Sequence, residues 1–214
     1  MRVSVPPDFV RSHTRPGRPS LVPEITIRIA DDVVALWEAL EQGQVDPGSE
    51  PPFWAAAWPG GQALARYVLD HPEVVAGRTV LDLGAGSGLV AVAAAMAGAA
   101  SVIASDVDPY SRAAVAVNAE ENGVGPFTVL GDVLDGEADP AVGVVLAGDV
   151  CYDRVMTERV LPFLGMSWLG GAAVYLGDPG RPYVPKEGLV EVAAVDVPET
   201  EGPGVRRTTV WRLP

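Results

Sequence analysis

From Arg78 onward the chain alternates short apolar runs, glycine-bearing turns and alanine-rich or amphipathic stretches. "RTVLDL" (78–83) has the length of a strand, "GAGSG" is a turn, and "LVAVAAAMAG" predicts a helix ended by Gly98. "SVIASD" (101–106) predicts the next strand, and "DPYSRAAVAVNAEENG" a helix with Pro109 in its first turn. "PFTVLGD" (126–132), "VGVVLAGD" (142–149) and "GAAVYLGD" (171–178) predict three more strands, with a helix around "DRVMTERVLPFL" between the last two. "GLVEVAAVDV" and "VRRTTVWRL" then follow without an intervening helix, which predicts an antiparallel edge hairpin. Such alternation is that of an α/β fold with a mostly parallel sheet covered on both faces.

Upstream the pattern is less regular. "EITIRIA" (24–30) alternates like a strand, and "DDVVALWEALEQG" (31–43) opens on Asp caps and closes at glycine, as a helix does. "QVDPGSEPP" (44–52) reads as a loop, and "GQALARYVLDHP" (61–72) as an amphipathic helix stopped by Pro72. Residues 1–23 read as a flexible arm, because Pro6, Pro7, Pro16 and Pro19 oppose a regular amphipathic helix. The expected organisation is an arm with a short strand and helix over 1–50, followed by one domain over 51–214.

Composition narrows the class. The 214 residues suffice for one domain with a substantial core, and the net charge of −13 argues against nucleic acid, whose backbone needs clustered Lys and Arg. A single cysteine, Cys151, permits no internal disulfide and fits a reducing, cytoplasmic setting; it reads as small packing rather than a nucleophile. The two histidines, His13 and His71, lie far apart, so no His/Cys metal cluster is read. Residues 1–30 contain no continuous apolar run of the signal-peptide kind. The uncharged run 83–105 begins in a glycine loop and is broken by Gly98, which marks buried structure rather than a membrane span.

Ligands of open α/β sheets bind beyond the carboxyl ends of the strands. Here those ends carry a row of carboxylates: Asp82 just before the glycine loop, then Asp106, Asp132, Asp149 and Asp178. Gly84, Gly86 and Gly88 allow a backbone to pass close to a ligand, and the next helix offers its positive N-terminus. A dinucleotide site is one reading of such a loop. Its spacing is GxGxG rather than GxGxxG, however, and Asp82 would repel a diphosphate. Residues 79–153 hold eleven acidic side chains and one basic one, Arg112, so that half favours a ligand bearing an ammonium and a sulfonium. Asp106 is placed to accept from ribose hydroxyls and Asp132 to reach an adenine edge; the alternative for each is a plain helix or turn cap.

"LDLGAGSG" with Asp106 resembles the class I, seven-stranded S-adenosylmethionine-dependent methyltransferases. More narrowly, "PFWAAAWPGGQALARYVLD", "LDLGAGSGLVAVAAAMAGA" and "LAGDVCYD" are similar to the bacterial relatives of the electron-transfer flavoprotein β-subunit lysine methyltransferase, a group also labelled nicotinamide N-methyltransferase-like. The resemblance implies a three-layer α/β/α Rossmann-like methyltransferase fold, with a seven-stranded sheet and an antiparallel C-terminal hairpin. It also implies S-adenosylmethionine at Asp82, Gly84, Gly86, Gly88, Asp106 and Asp132, and an acidic-x-x-aromatic motif at Asp149 and Tyr152. Asp149 and Tyr152 would hold the acceptor nitrogen. The implied partner is a protein with exposed lysines such as the electron-transfer flavoprotein β subunit.

Trp54 and Trp58 sit just before the first helix of that core. In a helical turn they would share a face. They then either cover the cofactor, Trp58 foremost, or pin the arm to the core. Phe53 and Tyr183 read as core or surface aromatics, with a place in a pocket wall as the alternative for each. A small-molecule N-methyltransferase, a non-catalytic methyltransferase-like binding module and a nicotinamide-dinucleotide oxidoreductase are the competing readings.

Overall fold

The computed structural model describes residues 7–42, 51–137, 139–198 and 204–214. Its elements begin with α1 (Pro7–His13), β1 (Arg15–Gly17), β2 (Ile27–Ile29), α2 (Val33–Gln42) and α3 (Pro59–Asp70). The alternating core follows as β3 (Thr79–Leu83), α4 (Leu89–Met96), β4 (Ser101–Ser105), α5 (Pro109–Glu121), β5 (Thr128–Leu130), β6 (Val144–Gly148), α6 (Arg154–Leu169) and β7 (Ala173–Asp178). The chain closes with β8 (Val190–Pro198) and β9 (Val205–Arg212).

One sheet holds seven of these strands in the order β5-β4-β3-β6-β7-β9-β8. The first five run parallel, and β9 inserts antiparallel between β7 and β8. Alternate residues of a strand face opposite sides. Val80, Val144 and Leu146 therefore pack with Leu64 of α3 and Ala91 of α4. Leu81, Leu83, Val145 and Ala147 pack on the other face with Val160, Phe163 and Leu164 of α6. The α/β/α layering expected from the alternation is what the chain builds. Helix α4 is buried at every residue from Leu89 to Ala94, which explains its lack of an amphipathic stripe. Its alanines let α3 and α5 approach on either side. No helix among the described residues is long and apolar enough to cross a membrane.

The N-terminal segment departs from expectation. The described part is held against the core, α1 and β2 on α5 and Leu21 and Glu24 on Gln62 and Arg66 of α3, and α1 does form, with Pro7 as its first residue, where no N–H is needed. Val10 is fully buried. Asn118 on α5 and Asn122 at its C-cap, one turn apart, accept from Arg28 N and Thr26 N, both at 2.9 Å. Their carboxamides thus serve as a substitute strand edge for the arm. Arg28 pairs with Glu121, and Arg11 with Glu120 at 2.7 Å. The strand expected over 24–30 is the shorter β2, paired with β1 in a separate two-stranded sheet. Asp32 caps α2 as expected, accepting from Val34 N and Ala35 N. The expected loop over 44–50, and the stop at Gly43, lie outside the described residues.

Candidate active site

The chain leaves β3 toward β4 and β5, then returns to β6 on the other side of β3. This reversal opens a crevice at the carboxyl ends of the strands. The cleft there holds about 930 Å³ of solvent-connected space, within the roughly 300–1,000 Å³ usual for ligand sites. Of the nine site residues named from the sequence, seven line it: Trp58, Gly84, Gly86, Asp106, Asp132, Asp149 and Tyr152. Asp82 and Gly88 do not.

The glycine loop shows why. Gly84 and Gly86 adopt φ of +67° and +51°, and their turn is tied back to β4 by Gly84 N and Ala85 N donating to Ser105 O. Gly86 N donates to Asp106 Oδ2 at 2.8 Å, while Asp106 Oδ1 accepts from Asp108 N at 2.9 Å. Asp106 therefore shapes the loop as well as the cleft wall, and burial pushes its carboxyl up to about 6. Gly88 instead faces α5, where a Cβ would lie 3.1 Å from Val115. Asp82 points behind the loop, its Oδ2 accepting from Ala91 N at 2.9 Å. Burial, with a contribution from the Asp106 charge, pushes the Asp82 carboxyl up to about 7. It is a helix-anchoring group under the site, not a cleft wall.

Asp132 stands at the cleft edge, held by Leu134 N at 3.0 Å and Arg159 at 2.8 Å. Burial opposes them, yet these bonds keep its carboxyl below the ordinary range. Asp132 caps its turn and also lines the cleft.

The two tryptophans do not share a face. The helical turn spans only Phe53–Ala55, and Ala56 is extended at φ −144°, ψ 160°. Trp54 is fully buried and stacks on Tyr110 at 6.3 Å, beside Val10 and Leu36. Trp58, extended at the start of α3, lines the cleft and donates Nε1–H to Phe53 O at 2.7 Å. Trp54 thus packs into the core beneath the arm, while Trp58 faces the cleft. Phe53, read as core or surface, also lines the cleft, with its ring 5.7 Å from Trp58 and 5.5 Å from Tyr152. Tyr183 is an exposed surface aromatic.

Asp149 sits just past β6 with φ of +60°, the left-handed region that few residues other than glycine occupy. Its Oδ2 accepts from Gly61 N at 2.7 Å and so caps α3 from outside the helix. Its Oδ1 accepts from Arg181 at 2.5 Å. Arg181 also reaches Asp178 Oδ2 at 3.2 Å, and its backbone N donates to Asp178 Oδ1 at 2.7 Å. Burial raises the Asp149 carboxyl even against the Arg181 pair. Cys151 is fully buried, and burial pushes its thiol up to about 11, so it packs and does not attack.

Arg181 was not singled out in the sequence, although it is the only basic residue between Arg159 and Lys186 and follows a strand-end aspartate by three. It is the one basic side chain among the described lining residues, against Asp106, Asp108, Asp132 and Asp149. With that guanidinium already paired twice, the lining offers a pyrophosphate no uncommitted positive side chain.

Over 200 residues the chain is 37% identical to the electron transfer flavoprotein beta subunit lysine methyltransferase of Rattus norvegicus, covering 90% of this chain and 77% of that protein. The Homo sapiens protein of the same name is 39% identical over 201 residues, 90% and 75% of the two chains. The chain belongs to the electron transfer flavoprotein beta subunit lysine methyltransferase family. It is an enzyme of the class I S-adenosylmethionine-dependent methyltransferases, as the resemblance implied. The family model for ribosomal protein L11 methyltransferase (PrmA) matches residues 62–158, the stretch from α3 through the Asp149–Tyr152 motif. A solved structure described as an RNA methyltransferase from Pyrococcus horikoshii aligns with TM-score 0.56 at 21% identity, over 81% of this chain and 94% of that one. That likeness concerns the fold alone.

Proposed function

We propose that this methyltransferase moves a methyl group from S-adenosylmethionine to lysine side chains of the electron transfer flavoprotein beta subunit. The observation that carries the reading is the cleft itself, which joins the glycine loop and Asp106 to Asp149 and Tyr152 in one acidic pocket. Residues 51–214 form the catalytic domain in this reading and 1–50 an N-terminal arm, of which the described residues 7–42 pack onto it.

The donor fits the residues present. Gly84 and Gly86 would let the loop backbone lie against it, Asp106 has lone pairs left that would take ribose hydroxyls, and Asp132 would hold the adenine. Asp82 and Gly88 support the loop from behind, and Trp58 would cover the donor. Bound there, the donor would supply an electrophilic methyl carbon on a sulfonium, so that a C–N bond to the amine would form as the C–S bond breaks to a neutral thioether, the extra proton of the methylated amine passing to water. What the chain must do is orient and dehydrate the acceptor. Asp149 accepts a hydrogen bond from the amine, and Phe53, Trp58 and Tyr152 present ring faces around it. The acidic surface suits a lysine-bearing protein and opposes nucleic acid. The buried lone cysteine suits a reducing, cytoplasmic setting.

The test is mass spectrometry of purified electron transfer flavoprotein after incubation with enzyme and isotopically labelled S-adenosylmethionine. Label on beta-subunit lysines is expected, abolished by Asp149→Ala. Robust labelling of nicotinamide with none on protein would move the assignment to small amines.

A further inference from the structure

We infer that Arg181 is a positioning residue for the acceptor amine: paired with Asp149 and Asp178, it cancels enough of their field for an entering lysine nitrogen to shed its proton and meet Asp149 as a neutral hydrogen-bond donor. This rests on the amine-methylation reading above.

The difficulty that Arg181 removes is a general one. A lysine amine titrates near 10.4, so at pH 7.5 only about one in 800 carries the lone pair that attacks. A bare carboxylate beside it favours the ammonium still more. Asp149 alone would therefore bind the substrate in the wrong protonation state. The cluster sets one guanidinium against two carboxyl groups, so Arg181 supplies its one positive charge. An amine on the free lone pairs of Asp149 stands within about 4–6 Å of the guanidinium, where a like charge lowers its proton affinity by roughly 1–3 pH units. Arginine suits this task because it stays charged at any working pH.

Arg181 is not needed to hold Asp149 in place. The Asp149 carboxylate is already gripped by Gly61 N at 2.7 Å, and its backbone N donates to Gly177 O at 2.8 Å. Arg181 is itself anchored through its backbone to Asp178, which is fully buried. The pair is also well shielded, with side-chain exposures of 18% for Arg181 and 11% for Asp149, so solvent screens little of the interaction.

Other charges facing the site do not duplicate the effect. Asp132 is compensated by Arg159. Asp106 and Asp108 belong to the end of β4, two strands from β6 and so roughly 9–10 Å away. Cys151, its thiol pushed up to about 11 by burial, is neutral at working pH, and the positive end of α3 acts on Asp149 through Gly61 N. The donor's own positive charge is common to every variant, so comparing them isolates Arg181.

The experiment is the pH dependence of kcat, from pH 6.5 to 9.5, with electron transfer flavoprotein and labelled S-adenosylmethionine both saturating. Arg181→Gln should lose at least tenfold at pH 7.5 and recover most of it by pH 9.5, its apparent pKa displaced upward by about one unit or more. Its affinity for S-adenosylhomocysteine should stay within a few fold. Arg181→Lys should keep the wild-type profile, and Asp178→Asn should displace the profile downward. If Arg181→Gln melts below the assay temperature, the last two variants decide. Equal loss at every pH in Arg181→Gln and Arg181→Lys, or no displacement in Asp178→Asn, overturns the inference while leaving lysine methylation intact. A wild-type enzyme that labels no lysine overturns both.

Discussion

Gly60 lies so close to Gly177 that a Cβ added to it would come within 2.2 Å of the Gly177 carbonyl oxygen and 2.7 Å of Asp149 Oδ2. The first turn of α3 is pressed against the ends of β6 and β7, and that contact brings Gly61 N onto Asp149. Gly61, one residue on, has room: its Cβ would meet nothing nearer than 3.9 Å.

Gly60→Ala should therefore destabilise the protein by about 1–3 kcal/mol through overpacking and displace Asp149. Gly61→Ala should be neutral or stabilising by up to about 1 kcal/mol, as alanine is the better helix former. Thermal melts and lysine-labelling rates of the two variants check this. Equal behaviour would mean that α3 is not seated as described.

Asp82 and its burial yield a pH dependence. Its folded pKa, about 7, lies above the ordinary carboxylate value. Between the unfolded value near 4 and about 7 the native state binds more protons than the unfolded one, so this group's contribution to stability falls as pH rises through that window and is flat above it. Asp82→Asn, which keeps an acceptor for Ala91 N, should melt several degrees higher than wild type at pH 8 and differ little at pH 4.5. The same difference at both pH values would remove the titration as its cause.

Trp54 and Trp58 should separate cleanly. Trp54→Ala empties a fully buried site and should cost about 3–5 kcal/mol of stability. Trp58→Ala should fold, yet lose most of the fluorescence change that S-adenosylhomocysteine causes in wild type. A Trp58→Ala protein with the full change would place the ring away from the donor.

Asn118 joins the arm to the glycine loop, accepting from Arg28 N at 2.9 Å and donating to Ser87 O at 2.7 Å while fully buried. Asn118→Ala strands both groups and should cost about 1–3 kcal/mol, with several-fold weaker S-adenosylhomocysteine binding by calorimetry. Arg11→Ala, which removes a largely exposed pair with Glu120, should change neither measurably. Unchanged binding in Asn118→Ala would confine the arm to a stabilising role.

The strands, the glycine loop and the row of strand-end carboxylates were readable residue by residue. Strand and helix periods are local properties, and in a parallel sheet every carboxyl end falls on one edge. Gly84, Gly86 and Asp106 reached the cleft because that edge placed them there, whatever their rotamers. Where a side chain's direction mattered, local pattern ran out. Asp82 lies between the same strand and loop, yet its carboxylate turns under α4. Trp54 and Trp58 look equivalent in "FWAAAW", but the turn ends at Ala55 and sends one into the core and the other to the cleft. The arm's prolines suggested flexibility, because nothing near them reveals that Asn118 and Asn122, some ninety residues away, present an edge to pair with. Arg181 is 32 residues from Asp149, and nothing along the chain encodes their contact. It arises because β6 and β7 are neighbours in the sheet, so their ends share one dehydrated corner, and the turn after Asp178 carries the one cation that, among the described residues, lines it.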